Sequence, residues 1–218
     1  MSIRKKILAI SIGPVLVLGV ITLLFMLTMV KSSLMDEVQD ALKGTAAATL
    51  AAYDQNTGDY LESTNGDIWK GSYNISKSES LVDRIKENTG MDVTFFYGNK
   101  RIMTSALDKK GNRILGSEAG ERVVNQVIKG KKPFFSTNVS LDGTRNYGYF
   151  IPVYQNGTTD QIIGMVFVGT DKKLKDAVVN KILGSIILAV CIVMLICIVV
   201  GAKLSTSMTK NIKVSIGV

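Results

Sequence analysis

Ile182 to Ala202 is 21 residues without a charge, set between Lys181 and Lys203. At about 1.5 Å of rise per residue, such a run crosses a bilayer core of roughly 30 Å as one helix. Core helices of soluble proteins rarely continue this far without a polar face. The residues before and after the run are therefore expected in different compartments. Ile7 to Val30 repeats the pattern, with 24 uncharged residues between Lys6 and Lys31. Its apolar stretch exceeds the roughly 7–15 residues of a signal-peptide core, and no small-x-small site follows Val30 directly, so it reads as an uncleaved anchor. Gly13 and Pro14 are expected to kink it, which membrane helices tolerate.

Charge sets the expected orientation. The chain has 26 Lys and Arg against 18 Asp and Glu, and every acidic residue falls between Lys31 and Lys181. The head carries only Arg4, Lys5 and Lys6, and the tail only Lys203, Lys210 and Lys213. Purely basic ends are the mark of cytoplasmic segments. This predicts residues 1–6 inside, a span at 7–30, an extracytoplasmic domain at 31–181, a span at 182–202 and a cytoplasmic tail at 203–218. The net charge of +8 thus reports topology. No basic stripe interleaved with aromatics points to nucleic acid. Lipid is the expected surrounding of both spans.

The residue inventory narrows the chemistry. The chain has no histidine, and its cysteines, Cys191 and Cys197, both sit in the second span. The outer domain therefore has no disulfide, no thiolate metal site, no Ser-His-Asp triad and no Cys-His pair. No Asp/Glu pair has distinguishing surroundings. A non-enzymatic domain without cofactor or metal is expected.

Periodicity outlines the outer domain. Leu34, Val38, Ala41, Leu42, Thr45 and Thr49 follow a helical period, with Asp36, Glu37, Gln39, Asp40 and Lys43 on the other side, so the helix is expected to continue out of the membrane to about Ala52. Tyr53 to Lys77 reads as a polar loop with one helical turn around Trp69. Ser76-Lys-Ser-Glu79 has the form of a capping box, predicting a helix with Leu81, Val82 and Ile85 inward and Gly90 after its cap. Met91 to Tyr97 and Arg101 to Ser105 read as a hairpin around Gly98-Asn99. Asp108 to Asn112 is a turn around Gly111. Ser117 is expected to cap a helix over Glu118 to Lys129 with Val123, Val124, Val127 and Ile128 inward. Strands follow at Phe134 to Ser140, Arg145 to Tyr154 and Gln161 to Gly169, punctuated by Asp142-Gly143 and Asn156-Gly157. A helix over Lys172 to Lys181 leads into the second span. Hairpin-joined strands with helices on one side make an α+β fold with an antiparallel sheet.

Several stretches resemble a known family. Met91-Asp-Val-Thr-Phe-Phe-Tyr-Gly-Asn-Lys-Arg-Ile-Met-Thr-Ser105, Gly116-Ser-Glu, Lys132-Pro-Phe-Phe135, Tyr147-Gly-Tyr-Phe-Ile-Pro-Val-Tyr154 and Ile163-Gly-Met-Val-Phe-Val-Gly169 resemble a single Cache domain, the PAS-like extracytoplasmic sensor of bacterial receptors. The resemblance covers about residues 78–171 and the leading helix. Leu204-Ser-Thr-Ser-Met-Thr-Lys-Asn-Ile-Lys213 looks like the opening of a HAMP domain, with Asn211 where a proline is common. Anchor, Cache, anchor and HAMP is the layout of methyl-accepting chemotaxis receptors. The resemblance implies a homodimeric chemoreceptor input module at the cell membrane, binding a small extracellular ligand and passing a conformational signal inward. Cytoplasmic signalling partners would be reached only through a C-terminal region absent from these 218 residues. A histidine kinase or nucleotide cyclase output is the nearest alternative. A membrane-anchored hydrolase or a protein-binding adaptor is more distant.

Candidate ligand-binding residues are Arg101, Thr104, Ser105, Lys132, Arg145, Tyr147 and Tyr149. Arg or Lys can hold a carboxylate and tyrosine can add a hydroxyl and an apolar wall, so a small organic anion is the expected ligand. Strand alternation places Tyr147 and Tyr149 on one face, opposite Asn146, Gly148 and Phe150. It likewise pairs Arg101 with Met103, opposite Ile102 and Thr104. Both faces cannot line one pocket.

Overall fold

The computed structural model describes residues 3–215, with side chains described at residue 10 and residues 12–207. The tips expected at residues 1–6 and 203–218 fall partly outside the described residues. Contacts divide the chain into two units, residues 36–176 and residues 1–35 with 177–218. The fold is α+β with antiparallel sheets, a long N-terminal helix and two helices long and apolar enough to cross a membrane.

In the unit of residues 1–35 and 177–218, α1 (Ile3–Asp54) and α4 (Lys172–Ser215) contribute their membrane-length segments. Pro14 lies inside α1 without ending it. Each helix meets a larger side chain of the other over a glycine. A Cβ at Gly19 would sit 2.7 Å from the Met194 sulfur, and one at Gly201 would sit 3.1 Å from Ile12 Cγ1. Close approach over glycine is how helices associate where no hydrophobic effect drives them. Leu18, Phe25, Leu188 and Leu195 point outward and are exposed.

In the unit of residues 36–176, Leu42, Ala46, Thr49 and Tyr53 form the buried stripe of α1. Ala41, placed on that stripe by periodicity, is exposed. The stretch after α1 departs from the expected loop. It folds as a small antiparallel sheet of β1 (Tyr60–Glu62), β2 (Ile68–Lys70) and β3 (Tyr73–Asn74). Trp69 is on a strand, paired with Leu61 and Asn74, rather than in a helical turn. Strands this short carry too few alternating residues to be read by period. The sheet is held instead by long-range contacts. The Gln155 amide brackets Tyr60, accepting from its N–H at 2.7 Å and donating to its carbonyl at 3.0 Å. The Tyr60 ring stacks on Phe95.

Helix α2 (Glu79–Thr89) ends as expected, with Gly90 left-handed at φ 70°. The capping box does not form. Ser78 is the cap residue, and its hydroxyl donates to the Ile75 carbonyl and bonds the Tyr53 hydroxyl. The Ser76 hydroxyl accepts from the Ile68 N–H. Tertiary partners thus outcompete the local cap.

The main sheet has the order β5-β4-β8-β7-β6, built from β4 (Asp92–Tyr97), β5 (Lys100–Thr104), β6 (Phe134–Leu141), β7 (Thr144–Tyr154) and β8 (Ile162–Asp171). Every pairing is antiparallel. One face carries Val93, Phe95, Met103, Tyr149, Val166 and Val168, with Phe95 edge-on to Tyr53 of α1. The other carries Phe96, Phe150, Met165 and Phe167, packed with Ala106, Val127 and Leu141.

The covering segment on that second face begins later than expected. The helix starts at Glu121 with Gly120 as its cap, and Ser117 makes no side-chain cap. The Ser117 carbonyl instead accepts the Arg101 N–H, and Glu118 bridges to Lys100. After α3 (Glu121–Val123) the chain widens into a π-helical stretch, Val124–Lys129.

Gly164 marks the tightest strand contact, since a Cβ there would lie 2.0 Å from the Phe96 carbonyl oxygen. Gly164→Ala is expected to cost about 2–3 kcal/mol by forcing β8 off β4. Gly90→Ala, strained only in its backbone angle, is expected to cost about 1–2 kcal/mol. Urea unfolding of the full chain in micelles, followed by the fluorescence of the single tryptophan, Trp69, checks the ordering.

Candidate functional site

A cavity of about 470 Å³ lies on the Phe96/Phe167 face of the sheet. Phe96, Phe150 and Phe167 form its floor, residues 134–140 of β6 its wall, and Glu118, Ala119, Gly120, Arg122 and Val123 its cover. Two glycines shape the floor. Gly148 and Gly169 pair across β7 and β8. A Cβ on either would come within 2.5 Å of the Phe167 ring, which lies across both. Glycine inside a strand here marks close approach of a ring.

Arg101 enters this cavity through a bulge. Phe95 faces Met103 and Phe96 faces Arg101, so Ile102 is the extra residue with no partner. The bulge corrects the simple alternation. Arg101 does not share a face with Met103; it points to the cavity face together with Thr104. A bulge of one residue redirects every side chain beyond it.

The Arg101 surroundings are unusual for a cation. The residue is 8% exposed. Its guanidinium lies 5.3 Å from the Phe96 ring centroid, and Nη1 reaches the Ile114 carbonyl at a long 3.4 Å. Nε has no partner. Among the described residues no carboxylate forms an ion pair with it. Burial holds its pKa below the usual guanidinium range, and the field of Asp92 offsets this in part. A largely buried guanidinium without an ion-pair partner, its Nη1 held by one long bond, is suited to a carboxylate. Arg122 stands at the cover, 5.4 Å from the Phe134 ring. Among the described residues no acidic cluster could hold a metal ion.

The cover is tied down by Arg113. Its guanidinium donates to both Asp83 carboxylate oxygens, at 2.9 and 2.6 Å, and to the Thr104 carbonyl at 2.7 Å. Ile114 and Ala119, downstream of it, pack against the aromatic floor.

The other expected residues lie elsewhere. Thr104 is on the cavity face, but its hydroxyl bonds Thr94 at 2.7 Å beneath the surface. Ser105 is buried and joins the Val93 N–H to the Asp92 carboxylate. Tyr147 and Tyr149 lie on the opposite face, where Tyr147 stacks with Phe135 and Tyr149 pairs with Val168. Lys132 and Arg145 are exposed and do not line the cavity. Arg101 is thus the one expected residue that lines it. Strand alternation alone does not single out the wall of β6 or the aromatic floor. The paired glycines were their available signal.

The single Cache domain 3 family model matches residues 73–182. No curated protein matches the sequence. Among solved structures, an extracellular ligand binding receptor from Desulfohalobium retbaense DSM5692 aligns with a TM-score of 0.49 at 14% identity, over 70% of this chain and 26% of its own. The ligand-binding domain of the Campylobacter jejuni chemoreceptor Tlp3 in complex with L-valine aligns with a TM-score of 0.49 at 13% identity, over 73% of this chain and 64% of its own. The sensory domain of the same chemoreceptor with isoleucine bound gives 0.49 at 14% identity, over 73% and 63%. The chain therefore spans less than two thirds of the length of each.

Two outcomes follow from the geometry. Arg101→Met is expected to stabilise the ligand-free protein by about 1–2 kcal/mol, because it removes a desolvated charge that lacks a partner. A fall in the unfolding midpoint would mark the arginine as structural. Asp83, with its carboxyl held below the usual range by Arg113, behaves oppositely. A carboxyl depressed on folding stabilises above its unfolded pKa of about 4 and loses that contribution as pH falls through its folded value. With the Asp83 side chain 44% exposed, the contribution is expected to be under about 1 kcal/mol after screening. Arg113→Met should flatten the loss of stability below pH 4 by that amount, read from urea midpoints across pH.

Proposed function

Because the chain belongs to the single Cache domain 3 family, we propose that it is the ligand-sensing input region of a transmembrane receptor, with chemotaxis as its output. Residues 31–181 form the extracytoplasmic sensor, residues 7–30 and 182–202 cross the cell membrane, and both termini are cytoplasmic. The basic ends and the charge-balanced middle support this orientation. The protein works as a homodimer and has no catalytic role.

The ligand is a small organic anion held in the cavity over Phe96 and Phe167, with its carboxylate on Arg101. The observation that carries this reading is that Arg101, 8% exposed and in no ion pair among the described residues, lines a cavity of about 470 Å³. That volume suits a small metabolite. Binding draws the cover and the wall onto the ligand and shifts the second span relative to the first by about 1–2 Å, the displacement typical of helix-shift switches.

Calorimetry on the full chain in lipid nanodiscs tests the ligand class. The probes are acetate, pyruvate, succinate and glycine, with choline and glucose as cationic and neutral controls. At least one carboxylate is expected to release heat and raise the melting temperature by mass action. Arg101→Met is expected to weaken it at least tenfold, since a charged hydrogen bond is worth about 1.5–3 kcal/mol. Binding of choline or glucose alone would overturn the proposal.

A further inference from the structure

We propose that Lys172 and Asp176 are positioning residues that fasten the first turn of α4 to the wall of the cavity, so that movement of the wall is read by the helix that becomes the second span. The inference rests on the sensor reading above and adds its route.

The route is built from two bonds and a ring contact. Lys172 Nζ donates to the Thr137 carbonyl at 3.1 Å. Thr137 lines the cavity. It also lies where strand pairing lapses, because the register between β6 and β7 passes from Ser136 opposite Gly148 to Val139 opposite Asn146. Its segment is thus the part of the wall least constrained by the ladder. The second bond runs from the Tyr147 hydroxyl to Asp176 Oδ1 at 2.5 Å. Phe135, two residues from Thr137 on the same wall, lies parallel to the Tyr147 ring with centroids 6.3 Å apart. The Lys172 ammonium also sits 5.2 Å from that ring. Burial, with Asp176 beside it, pushes the Tyr147 hydroxyl up to about 12. The wall therefore touches α4 twice, through Thr137 directly and through Phe135 by way of Tyr147.

The competing route is β8 itself, which runs into α4 without a linker. That strand is paired on both edges, to β4 and β7. Its pairing on both edges couples it to the whole sheet. The β6 bulge, on the sheet edge, has lost ladder pairing, and both side-chain ties attach beside that bulge. By reciprocity, any coupling between cavity and helix must be felt in both directions.

The test fills the cavity without needing the natural ligand. In a Cys191→Ser/Cys197→Ser background, Ala119→Cys places a thiol at the cavity cover. Modification with 2-carboxyethyl methanethiosulfonate then puts a carboxylate inside. Hydrogen exchange is followed on the full chain in nanodiscs, at the cover (residues 121–129) and at the first two turns of α4. Filling is expected to change exchange at both by about fivefold, the effect of one hydrogen bond on a local opening equilibrium. In Tyr147→Phe/Lys172→Met the cover should still respond and α4 should not. Asp176→Asn serves as a second variant, and Lys172→Arg, which keeps a donor, should restore the α4 response. A cover response without any α4 response in the parent overturns the coupling and leaves the sensor reading standing. An α4 response that survives the double substitution overturns this route in favour of β8. No response at either place overturns both readings.

Discussion

Strand β8 is the constraint on which the unit of residues 36–176 depends. It pairs with β4 along one edge and β7 along the other, and residues 164–170 are all buried. A strand covered on both faces must read as a continuous apolar run, and Met165-Val-Phe-Val168 does. Its alternation then divides the unit. Val166 and Val168 face the side packed by α1 through Tyr53 and Phe95, while Met165 and Phe167 face the cavity side. The strand ends in a built cap: the Asp171 carboxylate accepts the N–H groups of Lys173 at 2.7 Å and Leu174 at 3.2 Å. The same residues that fix the sheet thus start the helix that follows.

The two faces are filled differently, and that difference makes a cavity. On the α1 side, Tyr53, Tyr60 and Phe95 interlock, with the Tyr53 hydroxyl bonded to Ser78 and the Tyr60 hydroxyl to Asp54. Burial raises the pKa of both tyrosines above the ordinary phenol range. On the other side, the glycines at 148 and 169 let the Phe167 ring lie flat across the sheet, where side chains would otherwise stand upright. Floor height drops, and the cover of residues 118–123 bridges the resulting space instead of filling it.

Turn chemistry made most of the main sheet legible. Gly98-Asn99 and Asp142-Gly143 lie at the turns that the dipeptides predict, and Asn156-Gly157 lies in the β7–β8 connection. The amphipathic face of α1 was legible for the same reason, because a period of 3.6 survives local exceptions such as Ala41. What could not be read depended on distant partners. Ser76 and Ser117 look like caps in isolation, yet their neighbourhoods bind Ile68 and Arg101. The small sheet of β1 to β3 exists because Gln155, almost a hundred positions away in sequence, completes its ladder. The bulge at Ile102 has no local signature, and with it went the assignment of Arg101 to the face of Met103. Alternation stated correctly that Tyr147 and Tyr149 oppose Phe150. It could not say which face would stay open, because that was decided by the packing of Phe167 over two glycines.

The unit's treatment of its other inward cations makes Arg101 distinctive. Lys70 is 2% exposed, but it has Asp54 at 3.8 Å, the Asn156 side-chain oxygen at 3.3 Å and the Tyr60 ring beneath it. Lys86 meets Asp92 at 2.8 Å. Arg113 takes Asp83 in a two-point clasp. Each of these cations, from buried Lys70 to half-exposed Lys86, has a carboxylate within ion-pair distance. Arg101 is buried nearly as deeply as Lys70, yet it has an aromatic face, one long carbonyl contact and an unused Nε. The unit places a carboxylate within ion-pair distance of Lys70, Lys86 and Arg113, but among the described residues none beside Arg101, which lines its cavity. On the proposed sensor reading, a carboxylate arriving at Arg101 would satisfy a group already stripped of water, and that desolvation would become a source of affinity.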